Sequence, residues 1–146
     1  MLSQNRINGS KTVMKHLTNM QQLLHNILEK ESIYYTVDGG TLYSLIRIND
    51  LLPWDCDFDN VVNESGEQLA KILENYELPS YIIKDIMHFK YDNNDYTNIV
   101  FRHLGCLNRV THLDNNNPVD SFSQIDVITL CDNQHKVNNF VSWATK

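Results

Sequence analysis

Residues Tyr34–Asp59 read YYTVDGGTLYSLIRINDLLPWDCDFD, and the succession of residue types in this stretch decides how the rest of the chain is read. A β-branched and aromatic run over residues 33–37 suits a strand. It breaks at Gly39-Gly40, where two residues without a Cβ let the backbone come close to a ligand. Thr41 opens a short helix over residues 41–47, whose unpaired N–H groups and positive dipole end favour an anion such as a phosphate. Farther on, Asp55, Asp57 and Asp59 lie two residues apart. In an extended conformation all three carboxylates share one face, and in the strand expected over residues 56–62 Cys56, Phe58 and Asn60 take the other. Like charges stacked this way repel. A divalent cation relieves the repulsion, because Mg²⁺ takes carboxylate oxygens and bridges them to substrate phosphates.

Two motifs here resemble the LicD/fukutin-related phosphotransferases of the nucleotidyltransferase fold. Residues 40–47, GTLYSLIR, are similar to the family's G-T-L-L-G-x-x-R, and residues 53–59, PWDCDFD, to its P-W-D-x-D-hydrophobic-D. Ser44 stands where the family usually carries Gly, and Cys56 where many members carry another Asp; neither replaces an expected metal ligand. A third match, Ile125-Asp126-Val127-Ile128, resembles a late strand of the family that carries an Asp among hydrophobic residues. The resemblance implies that Asp57 and Asp59 hold Mg²⁺ or Mn²⁺, and that Asp126 completes the site or orients the nucleophile. Gly39, Gly40 and Thr41 would cradle phosphate, and Arg47 would contact a phosphate or a structural carboxylate. Without the resemblance, Asp126 asks only for a partner, and an Arg or a backbone cap would serve as well as a cation.

The implied reaction is metal-dependent transfer of a phospho-alcohol group, such as phosphocholine or ribitol phosphate, from a CDP-linked donor to a glycan hydroxyl. The same fold and carboxylates support transfer of NMP from an NTP. A catalytically silent nucleotide-binding module is a further reading, against which the retained pair Asp57 and Asp59 argues. Family members acting on glycans are generally longer than 146 residues, so the acceptor-binding part is left unassigned.

At 146 residues the chain fits one domain with a real core. A formal charge of -6 and the absence of a Lys/Arg-rich run argue against a nucleic-acid-binding surface, while a metal-bound nucleotide stays compatible. Three cysteines, Cys56, Cys106 and Cys131, without CxxC spacing read as reduced intracellular thiols. With no signal-peptide core and no apolar stretch near the roughly 18 residues of a membrane helix, a soluble cytoplasmic protein is expected.

In chain order, residues 1–9 read as polar and loose, with Ser10 capping an amphipathic helix over residues 11–30. Trp54 packs beneath the site after Pro53. Residues 64–76 return to helical spacing and stop before Pro79. Residues 81–86, 88–91 and 96–103 read as strands, the last two joined as a hairpin across residues 92–95. His103, Cys106 and His112 lack a fourth ligand at zinc spacing and are read as separate histidines and a core thiol. Residues 114–118 form a loop, residues 124–130 a strand, and Phe140, Val141 and Trp143 offer a docking tail. Helices interleaved with strands in this order give an α+β fold, a mixed β-sheet flanked by helices.

Overall fold

Helix α1 (Gln4–Lys30) is the longest element, and its burial follows the three- and four-residue steps of its apolar residues. Leu17, Met20, Leu24, Ile27 and Leu28 are all buried in the core. The computed structural model describes residues 4–50, 57–104, 110–114, 117–121 and 124–138. The helix starts at Gln4, so Ser10 lies inside it and residues 4–9 are helical. A helix anchored by a buried stripe extends at little cost per added residue, even through polar sequence. At its other end Ser32 takes φ +55. Ser32 N–H then donates to Glu29 O at 3.1 Å and Ile33 N–H to Leu28 O at 2.8 Å, a Schellman closure that tucks Ile33 into the core. Ile33 is spent on this cap, so strand β1 is Tyr35–Val37, shorter than the run of residue types suggests.

Helix α2 (Gly39–Ile48) follows, and then strand β2 (Asp57–Ser65). Residues 51–56, with Pro53, Trp54, Asp55 and Cys56, lie outside the described residues. The strand runs through Glu64, and helix α3 (Gly66–Leu73) starts later than helical spacing alone implies. Ser65 sets that boundary, its Oγ accepting from Gln68 N–H at 3.2 Å. Strand β3 (Ile82–Tyr91) is one ten-residue strand rather than two pieces, paired along its whole length with β4 (Asn94–His103). The turn between them is only Asp92-Asn93, both with positive φ (47° and 61°), as a two-residue hairpin turn matching strand twist requires. Within the stretch read as a loop, Asp114 ends β5 (Val110–Asp114) and Asn117 and Pro118 begin β6 (Asn117–Ser121), two antiparallel strands that form a separate two-stranded sheet. Strand β7 (Gln124–Leu130) has the bounds its sequence suggests.

The main sheet has the order β1-β2-β7-β4-β3. It is mixed: β2 and β7 run parallel, and the other pairings are antiparallel. Together with helices α1, α2 and α3 this is the expected α+β architecture. On one face Phe58, Val62, Ile99, Phe101, Ile125 and Val127 meet α1 and α3 in a continuous core. Within that apolar layer sits a reciprocal polar contact. Gln21 on α1 donates Nε2–H to Asn60 Oδ1 at 2.7 Å and accepts from Asn60 Nδ2–H at 2.9 Å. Asn60 Nδ2 also reaches Asp126 O at 3.4 Å, so the pair ties α1, β2 and β7 together.

Gly66 opens α3 directly against β4. A Cβ placed there would lie 1.3 Å from Thr97 O, a backbone atom that cannot swing aside. Gly66→Ala is therefore expected to lower the urea unfolding free energy by about 3 kcal/mol or more, beyond the usual range for a point change. An unchanged denaturation midpoint would show that α3 can lift from β4 freely.

Candidate metal centre

Alternation along β2 places Asp57 and Asp59 on the face opposite buried Phe58 and Asn60. The parallel register then sets Asp126 of β7 opposite Asp59, and Gln124 opposite Asp57. Three carboxylates thus converge, and one oxygen from each lies within 4.8 Å of the others. All three are half-buried. Such a set of hard oxygen donors suits Mg²⁺ or Mn²⁺ better than a soft metal.

The electrostatics report the crowding. Burial, reinforced by the charges of Asp57 and Asp126, by a hydrogen bond to Asp126 and by Asp38, raises Asp59 from 3.8 to about 6. Burial also raises Asp57, against the lowering effect of its own backbone hydrogen bond. Asp126 is raised by burial, which outweighs the hydrogen bond that it accepts from Gln124. Without a cation the cluster therefore retains a proton more readily than free carboxylates do.

Helix α2 docks onto β2 at Asp59. Asp38 precedes the helix in an extended conformation, and its N–H donates to Asp59 O at 3.1 Å. Asp59 N–H in turn donates to Thr41 Oγ1 at 3.0 Å. Thr41 is 1% exposed, so its hydroxyl is used inside the protein to hold β2. Gly39 has φ +56, and a Cβ there would sit 3.0 Å from Asp59 Oδ2. Glycine is needed at this point both for the left-handed turn and for the room beside the carboxylate. Gly39, Gly40 and Thr41 form the first turn of α2, where helix geometry leaves their N–H groups without intrahelical acceptors. Ser44 is fully buried, and its Oγ donates to Thr41 O at 3.0 Å, which explains how a hydroxyl is accommodated there.

Arg47 is placed differently from the rest. It lies in the last turn of α2, eight residues after Gly39 and so roughly 12 Å along the axis, with its guanidinium over the Tyr43 ring at 5.4 Å. The structure does not gather it with the carboxylates. Three residues that the sequence did not single out do belong beside the centre. Gln124 Nε2 donates to Asp126 Oδ1 at 2.7 Å, Arg102 Nε donates to Gln124 Oε1 at 3.2 Å, and Arg102 Nη1 pairs with Asp85. Gln124 was detectable by its two-residue spacing from Asp126; Arg102 and Asp85 become neighbours only through sheet register. Among the histidines, His103 stacks on His16 at 3.8 Å and meets Tyr81 at 5.0 Å; Cys106 lies outside the described residues.

The family described as LicD/FKTN/FKRP, nucleotidyltransferase domain, matches residues 32–141. An uncharacterized protein of Rickettsia prowazekii (strain Madrid E) is 27% identical, over 66% of this chain and 42% of its own length. The chain therefore spans less than half of that relative. No solved structure matches.

The raised carboxylates fix the sign of a pH effect. Between the ordinary 3.8 and about 6, the folded chain holds a proton at Asp59 more tightly than the unfolded chain does. Stability should accordingly fall as pH rises through that window and level off above it. His103, pushed down by burial and by His16, works in the opposite direction near its ordinary 6.5. Comparison with Asp59→Asn isolates the carboxylate: melting temperatures in EDTA should decline across this window in the parent more steeply than in the variant. Asp57→Asn removes one repelling charge and should melt in EDTA no lower than the parent, while losing any stabilisation by Mn²⁺. Loss of folding in Asp57→Asn would assign that carboxylate a structural role.

Proposed function

This chain belongs to the LicD/FKTN/FKRP family through its nucleotidyltransferase domain, and from that premise we propose that it transfers a phospho-alcohol group from a CDP-linked donor to a glycan hydroxyl. The observation that carries the reading is the convergence of Asp57, Asp59 and Asp126 beside the N-terminal turn of α2. In this reading the three carboxylates hold Mg²⁺ or Mn²⁺. Bound there, the cation would neutralise phosphate oxygens and stabilise the leaving oxygen of an in-line displacement.

The chain's own groups supply the remainder. The N–H groups of Gly39, Gly40 and Thr41, at the positive end of α2, receive a donor phosphate oxygen. Thr41 contributes through its backbone, since its hydroxyl is engaged with Asp59 N–H. Gly39, lacking a Cβ, keeps the approach to Asp59 open. Arg47 enters this reading through the family motif, as a contact for a more distant phosphate or a structural carboxylate. The glycan-binding part is not assigned to any described residue.

Transfer from a CDP-linked alcohol releases CMP, whereas nucleotidyl transfer from an NTP releases pyrophosphate. Incubation with CDP-choline or CDP-ribitol, Mn²⁺ and a glycan acceptor is expected to yield CMP, with the phospho-alcohol attached to the acceptor. Asp57→Asn should lower that rate by about 100-fold or more, because a metal ligand matters at least as much as its outer partners. Pyrophosphate with NMP on the acceptor would replace this reaction by nucleotidyl transfer. Donor binding without turnover of either kind would favour a nucleotide-binding module.

A further inference from the structure

The side of Asp126 away from Asp59 is occupied by a chain of polar groups that crosses three strands. Gln124 and Asp126 are two residues apart on β7 and so share a face. Arg102 on β4 is the register partner of Gln124, and Asp85 on β3 pairs with Arg102 from the next strand. The bonds run in one direction. Asp85 accepts from Arg102 Nη1; Arg102 Nε donates to Gln124 Oε1 at 3.2 Å; Gln124 Nε2 donates to Asp126 Oδ1 at 2.7 Å.

We propose that Gln124 and Arg102 are positioning residues for Asp126, fixing the orientation in which its carboxylate meets Asp57 and Asp59. An amide has two unlike ends, and only one orientation fits here. With a cationic N–H against Oε1, the NH₂ must face Asp126; the flipped amide would set NH₂ against guanidinium and oxygen against carboxylate. Asp126 Oδ1 thereby spends a lone pair on a donor that cannot rotate away. The Asn60 Nδ2 contact to Asp126 O holds the backbone of the same residue from the opposite face. The carboxylate is thus restrained at both its main chain and its tip, as outer-sphere partners restrain metal ligands. This inference rests on the metal-binding reading of the centre.

The test is Mn²⁺ affinity by electron paramagnetic resonance, with melting in EDTA as a separate measure of folding, for the full chain and for Gln124→Met, Arg102→Met and the double variant. Each single variant is expected to bind Mn²⁺ about 10- to 100-fold more weakly. The double variant should bind no more weakly than the worse single, because both act through one chain of bonds. Gln124→Asn, which keeps the amide but withdraws it by a methylene, should show the same direction of loss and serves if Gln124→Met does not fold. Parent-like affinity in folded variants would overturn the positioning role. So would losses that multiply in the double variant, since independent effects need no relay. Absence of Mn²⁺ binding by the parent itself would overturn the metal reading and this inference with it, a failure seen before any variant is measured.

Discussion

The parallel pairing of β2 with β7 is the constraint on which the rest depends. It brings Asp59 and Asp126 side by side in register, with Asp57 one step along the same face. Nothing in the hydrophobic effect favours this. The opposite face of the same two strands buries Phe58, Val62, Ile125 and Val127, and that apolar layer holds together strands whose other face is under electrostatic repulsion. Each strand is therefore a compromise read residue by residue: one parity supplies cohesion and the other supplies the charges.

The surrounding contacts limit how far the repulsion can move the acids. Thr41 Oγ1 accepts from the Asp59 backbone, Asp38 donates to it, and Gln124 reaches the Asp126 carboxylate. Two of these partners arrive from the start of α2, Thr41 in its first turn and Asp38 just before it, so the helix proposed to receive an anion is also the brace that holds the Asp59 backbone. Separating the two roles by mutation at Thr41 is consequently difficult, whereas a Cβ added at Gly39 would meet the Asp59 carboxylate rather than its backbone.

Much of this was legible in the sequence because it depends on local periodicity. The spacing of Leu17, Met20, Leu24 and Leu28 declared α1, and the alternation of Asp57 and Asp59 with Phe58 and Asn60 declared which face of β2 is which. The association of Asp126 with that pair came from family likeness, and the register then placed it there. What stayed hidden was pairwise. Thr41 could be recognised as a helix opener, but that its hydroxyl faces Asp59 N–H depends on a contact eighteen residues away in sequence. Arg102 and Asp85 look like ordinary strand charges until register sets Arg102 beside Gln124 and brings Asp85 to Arg102 from the next strand. Boundaries failed where a backbone device or strand pairing overrode composition: the Ser32 turn shortened β1, the Ser65 cap delayed α3, and unbroken pairing with β4 fused two apparent strands into β3.

The reciprocal amide contact between Gln21 and Asn60 bears on how such a chain can diverge. Each side chain satisfies the other inside an otherwise apolar layer, and replacing either alone strands a buried donor and acceptor. Replacing both with apolar residues removes the penalty, so the accessible evolutionary steps are coupled. Substitutions at the two positions are expected to travel together through a lineage, amide with amide or apolar with apolar, and the pair marks a place where α1 and β2 are inherited as one unit.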